Sequence, residues 1–225
     1  MKAQLYSYLK SLFSEPGLFD EGVEAARNAC VAGASLASAL ITAAAWYENP
    51  LTGTPALLDA LDRLRSIPGH GSPSCAGFVG AFAPTPHRDT GDPEHSPGFG
   101  YIDEERADRV VRAGQNLIAQ FPGAFRALEF FLEQRRQIVT RCGALNLTGL
   151  CALGFHGAGL TADEAERSFL VLRVEAALRE AQHARALGLK GFPFFSELYR
   201  YQGPLPEARG FDLEQLMTRV GISLP

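Results

Sequence analysis

Apolar side chains recur at helical spacing along almost the whole chain, and no stretch alternates long enough to make a strand. Residues 21–47 are rich in Ala, Leu, Ile and Ser and broken only at Gly33. A helix that is apolar over most of its circumference belongs in an interior, so this stretch is expected to be buried. Thr54-Pro55 opens the next helix, with Thr as N-cap and Pro at the first helical position. It runs to about Arg65, with Leu57, Leu58, Leu61 and Leu64 on one side. Asp103 is placed to cap a further helix, in which Ala107, Val110, Val111, Leu117, Ile118 and Phe121 repeat at helical spacing. Phe121-Pro122-Gly123 ends it. A second helix then reaches about Thr140 and a third covers 147–156. Thr161-Ala162-Asp163-Glu164 is a capping box that predicts a long helix to about Leu187, where Gly188 is a good stop. Asp212 with Gln215 could cap a last short helix.

Proline and glycine concentrate in 66–101, which reads as loop and hinge with one short helix, Ala76 to Ala83, inside it. The tract from Pro84 to Pro93 is expected to be exposed. No boundary divides the rest, so the expectation is one all-α domain over 1–225.

The bulk numbers narrow the function classes. Hydrophobic content of 46% and charged content of 20% are those of an ordinary globular protein. A net charge of −4 without long runs of one sign argues against nucleic acid or an anionic membrane as partner. Cys30, Cys75, Cys142 and Cys151 form no C-x-x-C and no pairing with histidine, which points to thiols in a reducing cytoplasm and to no metal site. The N-terminus has no apolar signal region, and Val31 to Trp46 is too short and too rich in Ala, Ser and Thr to span a membrane.

Three segments carry the chemical interest: Asn49-Pro50-Leu51-Thr52-Gly53, Pro97-Gly98-Phe99-Gly100-Tyr101 and Leu145-Asn146-Leu147-Thr148-Gly149. Each resembles a catalytic turn of the citrate synthase family, and they occur in the family's order. The small-residue stretch Gly33 to Leu40 precedes the first, as in the family's G-P-L-H-G turn. Asp103-Glu104-Glu105-Arg106-Ala107 follows the second, resembling D-P-R-A after P-G-F-G-H. The third resembles N-[IV]-D-[GF]. Arg173 matches an arginine of the long helix beyond it, and Arg185-Ala186-Leu187-Gly188 is also similar. The resemblance covers about 25–190, the family's C-terminal half, and implies a citrate synthase-like helical fold truncated at the N-terminus.

The family makes or breaks a carbon–carbon bond alpha to a CoA thioester. An Asp takes the alpha proton, one His stabilises the enolate, and a second His activates the oxoacid carbonyl. The resemblance places Thr52, Tyr101 and Thr148 at the His, His and Asp positions. Thr148 has no basic pKa and cannot replace a carboxylate. Thr52 and Tyr101 can still donate hydrogen bonds to an oxyanion. Glu180, His156, His183 and Glu175 are alternative bases by composition. The resemblance further implies that Pro97, Gly98, Phe99 and Gly100 hold the adenine end of CoA. It also makes Arg173 and Arg106 substrate-binding. The apolar surroundings of Arg173 predict a buried guanidinium, which needs either a substrate carboxylate or an internal partner such as Glu180 or a residue of another helix.

The remaining histidines carry less. His70, in Pro68-Gly69-His70-Gly71, could be a displaced counterpart of the family loop but reads better as a surface histidine, and His87 and His95 read as solvated. His156 sits where a helix ends, which favours a helix C-terminal contact.

The reading is therefore a cytoplasmic, citrate synthase-like protein that binds an acyl-CoA thioester as co-substrate or ligand. It either catalyses a Claisen-type transfer or lyase reaction with an oxoacid, or serves as a non-catalytic acyl-CoA-binding subunit. Apolar surface in 21–47 implies a homodimer or a heterodimer with a fuller paralog. An unrelated all-α protein is the rival reading, and it predicts that Thr52, Tyr101, Thr148 and Arg173 do not converge.

Overall fold

The computed structural model describes residues 1–13, 20–50, 52–67, 74–84, 96–100 and 104–187. Among these the chain is all-helical, with one isolated bridge between Phe99 and Leu145. The helices are α1 (Lys2–Leu12), α2 (Glu21–Val31), α3 (Leu36–Tyr47), α4 (Thr54–Ser66), α5 (Cys75–Phe82), α6 (Glu104–Gln120), α7 (Arg126–Glu133), α8 (Arg135–Cys142), α9 (Leu147–Gly157) and α10 (Ala162–Leu187).

α9 is the centre of the molecule. Every residue from Leu147 to Phe155 is buried, and α4, α6, α7 and α10 pack around it. Gly149, Cys151, Ala152 and Gly154 keep its circumference thin enough to be surrounded. The core round it is formed by Leu57, Leu61, Val110, Leu117, Leu128, Ile138 and Phe169. α10 runs alongside, packed mainly on α2, and α2 in turn packs on α3.

The expected capping box is present: Glu164 N–H donates to Thr161 Oγ1 at 3.2 Å and Thr161 N–H to Glu164 Oε2 at 2.9 Å. Gly33, at φ +92°, separates α2 from α3 as its position predicts. The short helix of the 66–101 stretch is α5.

Several expectations need correction. Thr54 is not the N-cap of α4. Gly53 holds that place, Thr54 is already helical, and its buried hydroxyl has no hydrogen-bond partner among the described residues. The helix expected up to Thr140 is two, α7 and α8, which meet at Gln134. α3 is not an interior helix: only Ala39, Ala43 and Tyr47 are buried, while Ile41 is 73% exposed and Trp46 41%. Small side chains made α3 look apolar all round, yet it lies at the edge of the bundle, and α9 takes the centre instead. α1 was not anticipated, although Leu5, Leu9 and Leu12 bury one side of it. Tyr8 Oη donates to Ala113 O at 2.7 Å and Lys2 pairs with Glu164, fastening α1 to α6 and α10. Asp103, Asp212, Gln215 and the tract from Thr85 to Pro93 lie outside the described residues.

The loop 96–100 is clamped against the entry to α9. Asn146 N–H donates to Gly98 O at 3.1 Å and Gly100 N–H to Ala144 O at 2.7 Å. Gly98 has φ +81°, and the Gly98 backbone lies so close to Gly149 that a Cβ on Gly149 would collide with Gly98 O and come within 2.7 Å of Leu145. The Phe99 ring is buried in a cluster with Phe78, Phe82 and Phe131, at centroid distances of 6.3, 5.1 and 5.7 Å. Phe99 thereby anchors the loop.

Gly149→Ala is expected to destabilise the fold by about 2–3 kcal/mol through overpacking. Gly80→Ala, at an exposed helical position with open space, is expected to stabilise it by about 0.5–1 kcal/mol. Urea titrations of the two variants beside the parent check both signs.

Candidate functional site

α3 ends at Tyr47, and a tight turn leads to Gly53 at the start of α4. Gly53 N–H donates to Asn49 O at 2.8 Å, and a Cβ on Gly53 would collide with the Tyr47 carbonyl. This turn aims the Thr52 carbonyl inward. Thr148 Oγ1, from the first turn of α9, donates to that carbonyl at 2.7 Å. Arg173 Nη1, from the middle of α10, donates to the same oxygen at 3.3 Å. Residues separated by 121 positions thus share one acceptor. Thr52, Thr148 and Arg173 converge, and Tyr101 lies outside the described residues.

Arg173 is fully buried, at 0% exposure. Of the two predicted kinds of partner, the structure selects a residue of another element, and it is not Glu180. Asp20, the N-cap of α2, places Oδ2 at 2.5 Å from Arg173 Nε. The Nε–H is not aligned with this oxygen, so the contact is Coulombic rather than a directed hydrogen bond. Asp20 is itself buried, and its Oδ1 accepts from Val23 N–H at 3.1 Å. Aromatic rings cover the guanidinium, with Tyr47 at 4.4 Å and Phe169 at 5.1 Å from Cζ. Gly22 makes room for the Tyr47 ring, since a Cβ there would collide with it.

Several buried polar atoms here have no hydrogen-bond partner among the described residues: Arg173 Nη2, Tyr47 Oη and Thr52 Oγ1. Burial, followed by the Asp20 charge, pushes the Tyr47 phenol well above its ordinary value, with Arg173 pulling weakly the other way. Tyr47 therefore stays a neutral donor at physiological pH. Burial likewise raises the thiol of Cys151, which feels both Arg173 and Asp20. The site has the chemistry of a neutralised cation ringed by uncharged donors.

The other expected residues fall elsewhere. Pro97, Gly98, Phe99 and Gly100 border the site through their clamp on 144–146, with Phe99 turned into the core. Arg106 stands in α6, within electrostatic reach of Glu24 on α2. Glu180 pairs with Arg27 at 3.5 Å and Glu175 with Lys10 at 2.8 Å. His156 is in the last turn of α9 and His183 is exposed on α10. Asp20 and Tyr47 were missed. Asp20-Glu21-Gly22 before an apolar helix is a legible N-cap, but nothing in it says that the carboxylate also reaches Arg173. Among the described residues no group of His, Cys, Asp and Glu could hold a metal ion, and no helix is long and apolar enough to cross a membrane.

No protein-family model matches the chain, and no curated protein matches it. Among solved structures it is similar to the ATP citrate lyase from Methanothrix soehngenii, determined in complex with citrate and coenzyme A. The TM-score is 0.50 at 18% sequence identity, over 90% of this chain and 34% of that one. The chain therefore spans about a third of that protein's length, and at this identity the likeness is one of fold. The all-helical fold expected from the sequence is the part that this likeness bears out.

Thr148→Val removes the hydroxyl that meets Thr52 O and is expected to cost about 1 kcal/mol, with Arg173 left as the carbonyl's partner. Denaturant unfolding measures it. A second expectation concerns Cys142, whose thiol burial pushes up from an ordinary 9.0 to about 11, with Cys75 adding to the rise and Arg63 opposing it. The raised value means that its contribution to stability is complete below the unfolded value near 9.0 and is lost as pH rises through about 11. Iodoacetamide should label Cys75, which is half-buried, well before Cys142, and mass spectrometry across that pH range reads the order.

Proposed function

We propose that the chain is a citrate synthase-like protein that binds an acyl-CoA thioester where Thr52, Thr148 and the Pro97–Gly100 loop meet, and that it holds this ligand without condensing it unaided. The observation that carries the reading is the Thr52 carbonyl. Of the three segments that resemble catalytic turns of one family, the first meets the third at this carbonyl through Thr148, and the second is hydrogen-bonded to the third through Gly98 and Asn146. The likeness to an ATP citrate lyase that binds citrate and coenzyme A supports the same ligand class.

Claisen-type bond formation or cleavage needs a base at the carbon alpha to the thioester. Thr148 cannot supply one, and its hydroxyl is already spent on Thr52 O. Glu175 and Glu180 are engaged with Lys10 and Arg27, and Asp20 with Arg173. This favours the non-catalytic reading over turnover by this chain alone. A second copy or a fuller paralog would supply the missing groups, and the exposed face of α3, with Ile41 and Trp46, is a surface on which such a subunit could pack. All four cysteines are free thiols, in keeping with the cytoplasmic location we assign.

Calorimetric titration of the folded chain with CoA, acetyl-CoA and a longer acyl-CoA tests the proposal. Saturable binding of one equivalent is expected, with no product formed when an oxoacid is added. Absence of heat in a protein that is helical by circular dichroism would reject the acyl-CoA site.

A further inference from the structure

We infer that Asp20 is a resident carboxylate that neutralises the charge of Arg173, so that the site rejects free di- and tricarboxylates and takes a neutral carbonyl compound. This rests on the proposed reading of the Thr52–Thr148–Arg173 cluster as the ligand site.

The guanidinium has a donor left but no uncompensated charge to offer a second anion. Asp20 Oδ2 lies 2.5 Å from its Nε, its Nη1 is spent on Thr52 O, and the rings of Tyr47 and Phe169 lie over it. Asp20 is not free to swing aside. Its other oxygen caps α2 through Val23 N–H, and α2 is packed along α10 and α3, so releasing Arg173 would also uncap a buried helix. A ligand carboxylate entering here would meet a buried site whose net charge is already zero. It would then be the uncompensated charge, which a water-poor interior strongly disfavours. The atoms without partners tell the same story from the other side. Arg173 Nη2, Tyr47 Oη and Thr52 Oγ1 are buried without a hydrogen-bond partner among the described residues, and an aldehyde, ketone or thioester oxygen accepts hydrogen bonds from such groups without bringing charge. Asp20 is thus a specificity-determining residue.

Three full-length proteins test this: the parent, Asp20→Asn, and Asp20→Asn combined with Arg173→Met. Asn keeps the capping oxygen for Val23 while removing the charge. Succinate and oxaloacetate are the probes, read by calorimetry and by thermal unfolding. The parent is expected to bind neither at millimolar concentration. Asp20→Asn should bind succinate roughly a hundredfold more tightly and gain several degrees of melting temperature from it. The double variant should lose that response. If Asp20→Asn does not fold by itself, succinate should restore its helical circular dichroism. Parent protein that binds succinate or oxaloacetate as tightly as Asp20→Asn would overturn the inference. So would a folded Asp20→Asn without succinate affinity, or an unfolded one that succinate fails to restore. An acyl-CoA titration of the same samples separates the two claims: loss of CoA binding in the parent rejects the proposed function, whereas the dicarboxylate results judge Asp20.

Discussion

The structure turns on one buried cation. A guanidinium at 0% exposure, in the middle of the longest described helix, must be compensated where it stands. Its partners decide how the surrounding helices are arranged. Asp20 brings the start of α2 onto α10. Tyr47 brings the end of α3 over the guanidinium, which is possible because Gly22 leaves the ring its space. The Thr52 carbonyl brings the turn before α4, and Thr148 joins α9 to that same oxygen. Four helix ends and one helix middle are thereby tied into one polar knot inside an otherwise apolar bundle.

Around the knot, packing does the remaining work. α9 is buried along most of its length and can be so because glycine, alanine and cysteine alternate with its leucines. The Pro97–Gly100 loop is held to the entry of α9 by two backbone hydrogen bonds and by Phe99 in its aromatic cluster. A loop that reads as a place for backbone to approach a ligand is also a place where backbone approaches backbone, and Gly98 against Gly149 is that approach. Any ligand at this loop meets an element already fixed from behind.

The chemistry follows from what the knot lacks. On the proposed reading, Thr148 and Thr52 hold the positions of the family's carboxylate and one imidazole, and Asp20 stands beside the arginine that would meet its substrate. Among the described residues the cluster presents uncharged donors, and its one carboxylate, Asp20, is paired with Arg173. It is this combination on which the proposal of a binding role rests.

Much of this was legible beforehand. Helical periodicity, Gly33, and the Thr161–Glu164 box specified α2, α3 and α10, because helix geometry and capping act over a few neighbouring residues. The order of the three short motifs, with the arginine of the long helix beyond them, nominated Thr52, Tyr101, Thr148 and Arg173 as companions, and of these Tyr101 lies outside the described residues. Other features required the tertiary structure. α3 and α9 are both small-residue, apolar helices, and only the bundle decides which is surrounded and which lies at the edge. Thr54 loses the cap to Gly53 because the turn at Tyr47 leaves no room for a side chain there. Asp20 reads as a helix cap and nothing more, since the pattern of a capping residue involves its next three neighbours and is blind to an arginine 153 positions away. Local hydrogen bonding is written in adjacent residues, whereas compensation of a buried charge is settled by whichever opposite charge the folded chain brings beside it.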